Sequence, residues 1–355
     1  MFLEPRPRRL VLLAVAGAGF VGAKPHAAAQ PSAGPEASTA PKPPAWRFKD
    51  PDRPVKVVSL GGSIAAWPKD AYPDLLEDWC ANVEIVDIAK TGLGAWALKR
   101  RFVEQVLENR RIDFGHDGWT FWLLLGGTLN SVGMPANHNH HTKRLIELAH
   151  RRGMKVVALT PTPWGDDRDR RFRRPYDALR YVRNTRAIAD FVLGRSDPRT
   201  ALGPYARKRP DGPDAPFRPT ELPDVAVDLL DAPSLRWVDA PLRDEATVRR
   251  DLERDPRWRR AHRDLDPEAR EAALAADVAA ATVVPRTYLA PALRSFDHIH
   301  PNAEGHLRIA RLVCPALPAS WGCACPEEAL PAAVEGEGPG AAPLQPSHET
   351  ASPSP

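Results

Sequence analysis

The stretch from Ser295 to Ile309 reads SFDHIHPNAEGHLRI, with a carboxylate and an imidazole three residues apart at Asp297 and His300. That spacing lets both side chains project from one turn, while Pro301 stiffens the backbone and Asn302 is placed to cap the helix AEGHLRIARLV. An Asp and a His can simply cap a helix. The pair becomes chemical when a hydroxyl needs a base, because the imidazole takes the proton and the carboxylate holds its tautomer and orientation. A candidate hydroxyl lies far upstream, where the apolar run VKVVSL from Val55 ends in GGSIAAW. Gly61 and Gly62 permit a tight turn that would present Ser63 at the end of that run. A serine after two glycines is ordinary loop chemistry by itself. With Asp297 and His300 it spells nucleophilic catalysis, Ser63 attacking, His300 as base and Asp297 as orienting acid.

Bringing these residues together requires a scaffold. Five apolar runs of strand length occur: VKVVSL at Val55, VEIVDIA at Val83, WTFWLLLG at Trp119, MKVVALT at Met154 and VAVDLL at Val225. Continuous rather than alternating apolarity marks strands buried on both faces, as in a parallel sheet. Helical patterns separate them: AYPDLLEDWCA, ALKRRFVEQVLENR, HTKRLIELAHRRG and DALRYVRNTRAIADFVLG. The alternation predicts a doubly wound α/β sandwich whose ligands bind beyond the carboxyl ends of the strands. Residues 195–223 read as a long loop. Residues 243–281 read as one or two solvated inserted helices, a surface insertion or, alternatively, a lid or substrate-selecting cap. The tract NHNHH from Asn137 to His141 reads as a polar loop and helix start rather than a metal site. In TPTPW, Thr160, Thr162 and Trp164 are expected at the catalytic rim, with Trp164 stacking on substrate or merely packing. Trp119 and Trp122 are expected in the core.

At this point LGGSIA and FDHIHPNAEGH resemble the nucleophile block and the terminal Asp-x-x-His-Pro block of the SGNH, or GDSL-type, esterase and lipase superfamily. The resemblance runs from Val55 to about Leu312, outside the inserted helices. It implies a flavodoxin-like three-layer α/β/α sandwich with a five-stranded parallel sheet, the SGNH hydrolase fold, carrying a helical insertion. It also implies ester hydrolysis through an acyl-enzyme, with Ser63, His300 and Asp297 as the catalytic set and no cofactor or metal. In DIAKTGLGAW, Gly92 aligns with the glycine whose amide serves the oxyanion hole beside that of Ser63, with Gly94 as a substitute. The third block departs from the family. LLLGGTLNSVG places Thr128 where the oxyanion asparagine belongs, so either Asn130 reaches the hole from two positions later, or the Thr128 hydroxyl donates, or the donor is missing; Asn130 is preferred. Gly62 stands where the family has Asp, a change that bears on loop geometry more than chemistry. His298 holds a position usually given to glycine and either faces solvent or lines the substrate cleft.

Composition sets the remaining bounds. The chain has 355 residues and a formal charge of +4 from interspersed acids and bases, so no continuous basic face for nucleic acid is expected. Arg6, Arg8 and Arg9 precede the apolar run LVLLAVAGAGFVGA, and small residues Ala27 and Ala29 suit a signal peptidase. We therefore expect a signal peptide over 1–29, with no stable membrane insertion after cleavage, and a secreted or periplasmic protein. A Pro- and Ala-rich linker over 30–50 and a similar tail over 326–355 would flank one hydrolase domain at 51–325, acting as a monomer. Cys80, Cys314, Cys323 and Cys325 allow two disulfides in an oxidising compartment. Cys323 and Cys325 are too close to pair easily, which favours Cys314 with one of them. The expected substrate is a lipid, glycan or small-molecule ester. Acyl transfer to a glycan hydroxyl and a degenerate binding module are the alternative functions.

Overall fold

The structure, a computed structural model, describes residues 46–327. The expected signal peptide, the linker up to residue 45 and the tail from residue 328 lie outside the described residues. In chain order the elements are β1 (Val55–Leu60), α1 (Tyr72–Trp79), β2 (Val83–Asp87), α2 (Ala95–Phe102), β3 (Thr120–Leu125), α3 (Pro135–Arg151), β4 (Lys155–Leu159) and α4 (Pro175–Val192). They continue with α5 (Pro198–Leu202), β5 (Val225–Val227), α6 (Glu245–Arg254), α7 (Pro256–Ala261), α8 (Pro267–Thr282) and α9 (Ala303–Val313). The five strands form one parallel sheet in the order β2-β1-β3-β4-β5, with Val55 opposite both Val83 and Thr120.

The apolar runs are continuous because both faces of this sheet are covered. Val55 and Val57 of β1 point into a core completed by Leu76 of α1 and Ile309, Ala310 and Val313 of α9. Val58 and Leu60 point the other way, against Leu98 and Phe102 of α2, Leu145 and Ile146 of α3, and Phe191 and Val192 of α4. The three-layer α/β/α sandwich is therefore present. Lys56, fully buried in β1, is tolerated because its ammonium meets Glu84 at 2.7 Å and lies 4.3 Å from the ring centre of Trp119.

Several boundaries differ from those expected. The domain begins before residue 51: Phe48 is buried, and the amides of Lys49 and Asp50 donate to Glu84 at 2.6 and 3.1 Å. Helix α3 starts at Pro135, so NHNHH lies inside the helix rather than in a loop before it. Proline suits that first turn because its missing N–H needs no partner there. The VAVDLL run yields only three residues of ladder. The Thr160 hydroxyl accepts the amides of Leu229 and Leu230 at 2.8 and 3.0 Å and turns the chain away after Val227. Residues 195–223 contain α5 and short 3₁₀ turns, ordered by the fully buried Glu221, which receives Arg209 at 2.7 Å and Lys143 at 2.8 Å.

The insertion folds as three helices, with Asp244, Asp255 and Asp266 as N-caps. Val248, Leu252, Trp258, Leu274 and Val278 bury themselves against Leu179 of α4. Disulfides join Cys80 to Cys323 and Cys314 to Cys325, tying the end of α1 and the end of α9 to the last described segment. Among the described residues no helix is long and apolar enough to cross a membrane.

Candidate active site

Each expected block falls at the carboxyl edge of the sheet or just before α9. Ser63 follows β1, Gly92 follows β2, Thr128 and Asn130 follow β3, and His300 lies on the loop entering α9. Asn302 caps that helix, its Oδ1 accepting from the Gly305 amide at 3.0 Å, while its Nδ2 donates to the Ala292 and Arg294 carbonyls. The loop is thereby fixed on both sides of Pro301. His300 Nε2 lies 2.5 Å from Ser63 Oγ, and His300 Nδ1 is hydrogen-bonded to Asp297 Oδ2. The other carboxylate oxygen, Asp297 Oδ1, accepts from Ser295 Oγ and from the Ile299 and His300 amides at 2.9, 3.1 and 3.0 Å. Burial alone would raise the Asp297 pKa, but these donors outweigh it and hold the carboxyl at about 2. Asp297 is thus an anion at any pH near neutrality. Trp67 covers the imidazole, with ring centres 5.9 Å apart.

Ser63, Gly92, Thr128, Asn130 and His300 all line one open cavity of about 400 Å³. Gly92 sits at φ +82°, a conformation glycine adopts without strain. Among the described residues, neither the Ser63 amide nor the Gly92 amide donates a hydrogen bond. Two unspent N–H groups at the cavity wall are what an oxyanion site requires. Gly94 instead starts α2 and packs against Ser131.

The third-block residues are differently engaged. Thr128 Oγ1 donates its single hydrogen to the Leu93 carbonyl at 2.8 Å, so the alternative in which this hydroxyl serves the oxyanion is not the arrangement found. Asn130 Nδ2 also donates to the Leu93 carbonyl, at 3.1 Å, and to Thr128 Oγ1 at 3.3 Å. Both side chains therefore clamp the loop that carries Gly92. Gly62 explains how they fit: a Cβ there would lie 3.0 Å from Thr128 Oγ1 and 3.2 Å from Asn130 Nδ2. Gly62 and the Thr128–Asn130 clamp are physically coupled, since the clamp occupies space beside Gly62 that a larger residue would need.

The two residues expected to bind substrate do not line the cavity. Trp164 is buried, with its ring edge-on to Phe172 at 4.7 Å and its indole N–H donating to Thr185 at 3.1 Å. It packs and does not stack on substrate. His298 adopts φ +61°, in the left-handed region that favours glycine, and its Nδ1 meets Arg168 Nη2 at 3.2 Å outside the cavity lining. Thr160 and Thr162 are likewise buried. Conversely, Arg170 and Arg171, in a loop that carries no motif, and Tyr181 of α4 line the cavity without having been singled out in the sequence. Nor do the inserted helices line it. Among the described residues the one convergent set of metal-ligand types is Cys80, Cys314 and Cys323, all consumed in disulfides.

No protein-family model and no curated protein matches the chain. Among solved structures it is similar to a GDSL-like lipase from Bacteroides thetaiotaomicron, at 13% identity and TM-score 0.38, covering 74% of this chain and 86% of that one. It is also similar to an acetylxylan esterase from Geobacillus stearothermophilus, at 13% identity and TM-score 0.38, covering 76% and 96% respectively. At these values the chemistry rests on the site alone.

Proposed function

We propose that the chain is an SGNH-type serine esterase that cleaves a carboxylic ester with a short acyl group through an acyl-enzyme. The observation that carries this reading is the continuous line from Asp297 through His300 to Ser63, opening into a cavity with two unspent amides. Ser63 Oγ attacks the ester carbonyl while His300 Nε2 takes its proton. Asp297, ionised and bonded to Nδ1, holds the ring and stabilises the imidazolium. The tetrahedral oxyanion is received by the Ser63 and Gly92 amides, with the Asn130–Thr128 clamp aiming the latter. His300 then returns the proton to the departing alcohol, and a water repeats the sequence to release the acid. No step calls for a metal or cofactor.

Export is part of the proposal. The two disulfides support it, because such bonds persist in oxidising compartments. Hydrolysis of 4-nitrophenyl acetate tests the chemistry: Ser63→Ala and His300→Ala should lose turnover, and Asp297→Asn about 10⁴-fold in kcat. Undiminished turnover in Ser63→Ala would refute the assignment.

A further inference from the structure

We propose that the site selects esters carrying an anionic oxygen group, a carboxylate or a phosphate, close to the scissile bond, and that Arg170 and Arg171 recognise it. This rests on the esterase reading above and adds the substrate class. The cavity beside Ser63 is lined by two guanidinium groups and by no carboxylate. Its remaining wall is largely glycine, threonine and aliphatic, so the formal charges among its lining side chains are positive.

The two arginines are held differently. Arg171 is fixed: its Nε donates to Asp169 Oδ1 at 3.0 Å, Nη2 meets Oδ2 at 2.5 Å, and the guanidinium lies 4.7 Å from the ring centre of buried Trp164. Trp164 and Asp169 therefore serve the site indirectly, by fixing one cation at its wall. Arg170 is exposed and makes no hydrogen bond to another described residue, so all its donors remain available. The loop from Asp166 to Arg174 carries five arginines against three aspartates. Each aspartate is already engaged: Asp166 with Arg168 and Arg294, Asp167 with Arg243 and Tyr288, and Asp169 with Arg171. The carboxylates of this loop thus leave the Arg170 fork without a hydrogen-bonded partner, although Asp169 lies near enough to feel its charge. Such a fork matches the geometry of a carboxylate or phosphate. The Arg243–Asp167 contact also gives the insertion a role, since Arg243 at its start braces the loop that presents the cations.

The test compares 4-acetoxybenzoate with its methyl ester, and with 4-acetoxyphenyl phosphate to distinguish the two anions. The ratio of kcat/KM between charged and neutral esters is taken for wild type and for Arg170→Gln, so intrinsic reactivity cancels. That ratio should fall about tenfold in Arg170→Gln, be partly retained in Arg170→Lys, and shrink with added salt. A ratio unchanged in Arg170→Gln, or equal loss on both esters, overturns the proposal. Binding to Ser63→Ala protein reads the same preference without turnover: 4-acetoxybenzoate should bind more tightly than its methyl ester, and the advantage should vanish when Arg170→Gln is added. Selective binding without hydrolysis in wild type would sink the esterase reading alone; hydrolysis without selectivity would sink this one alone.

Discussion

Removing the Asn130 side chain separates two accounts of the third-block loop. An amide that donates directly to the oxyanion is worth about 2.7–4 kcal/mol, or roughly 10²–10³ in kcat, when deleted. In this structure the Asn130 amide hydrogens go to the Leu93 carbonyl at 3.1 Å and to Thr128 Oγ1 at 3.3 Å, and Thr128 shares the same carbonyl at 2.8 Å. Asn130→Ala therefore removes one of two donors to Leu93. The cost is that of a neutral hydrogen bond, about 0.5–1.5 kcal/mol, or about 2- to 13-fold in kcat/KM. Thr128→Val should cost a similar amount. The double variant leaves the Leu93 carbonyl with neither side-chain donor and frees the Gly92 loop, so its loss should exceed the sum of the singles by at least about 0.5 kcal/mol. Steady-state kinetics on a short-chain ester reads all four corners of this cycle. A hundredfold fall in kcat for Asn130→Ala alone, with KM unchanged and Thr128→Val silent, would refute the clamp and make Asn130 the oxyanion donor.

Gly62→Ala would push a methyl against Thr128 Oγ1 and Asn130 Nδ2, so it should cost about 1–3 kcal/mol in stability by overpacking and lower kcat, measured by urea unfolding and ester hydrolysis. Replacing Cys80 and Cys323 by serine opens a loop of 243 residues and should cost about 2–5 kcal/mol, visible as a lower urea midpoint that reductant does not lower further through this bond. His138 is buried against Ser131 Oγ at 2.8 Å, and burial, aided by His141, lowers its pKa from 6.5 to about 4. The unfolded chain then binds a proton that the folded chain refuses between those values. Its stabilising contribution is complete above pH 6.5 and is lost as pH falls toward 4, on the order of 3 kcal/mol. Unfolding at pH 7 and 4.5 should show a shallower acid loss in His138→Gln than in wild type. The raised carboxyls Glu77 and Asp87 act in the opposite sense, but equally in both proteins.

The parts of the molecule legible in the sequence are those whose cause is local. The strands announced themselves because a doubly covered sheet demands uninterrupted apolar runs. Asp297, His300 and the Asn302 cap share one turn, so six consecutive residues contain their whole geometry. Gly92 was legible through the resemblance of DIAKTGLGAW to a known block, and its positive φ is a local property that glycine satisfies. What escaped depends on distant partners. Trp164 follows a strand, as rim residues do, yet Phe172 and Thr185 from later segments enclose it. The clamp at Leu93 joins two loops, and nothing in LLLGGTLNSVG indicates that its hydroxyl and amide turn toward the second block. Arg170 and Arg171 lie in a charged stretch that reads like any solvated loop until β4 and α4 set it over the cavity. Cys80 finds Cys323 because α1 and the segment after α9 end side by side, a meeting no spacing rule supplies.

The central claim is that Ser63 is made nucleophilic by His300 and Asp297. Mass spectrometry after exposure to a fluorophosphonate tests it most directly, because only an activated serine reacts readily. The account predicts one adduct, on the peptide carrying Ser63, absent in Ser63→Ala and strongly slowed in His300→Ala. No adduct on the folded wild-type protein, or an adduct that survives Ser63→Ala, would contradict it.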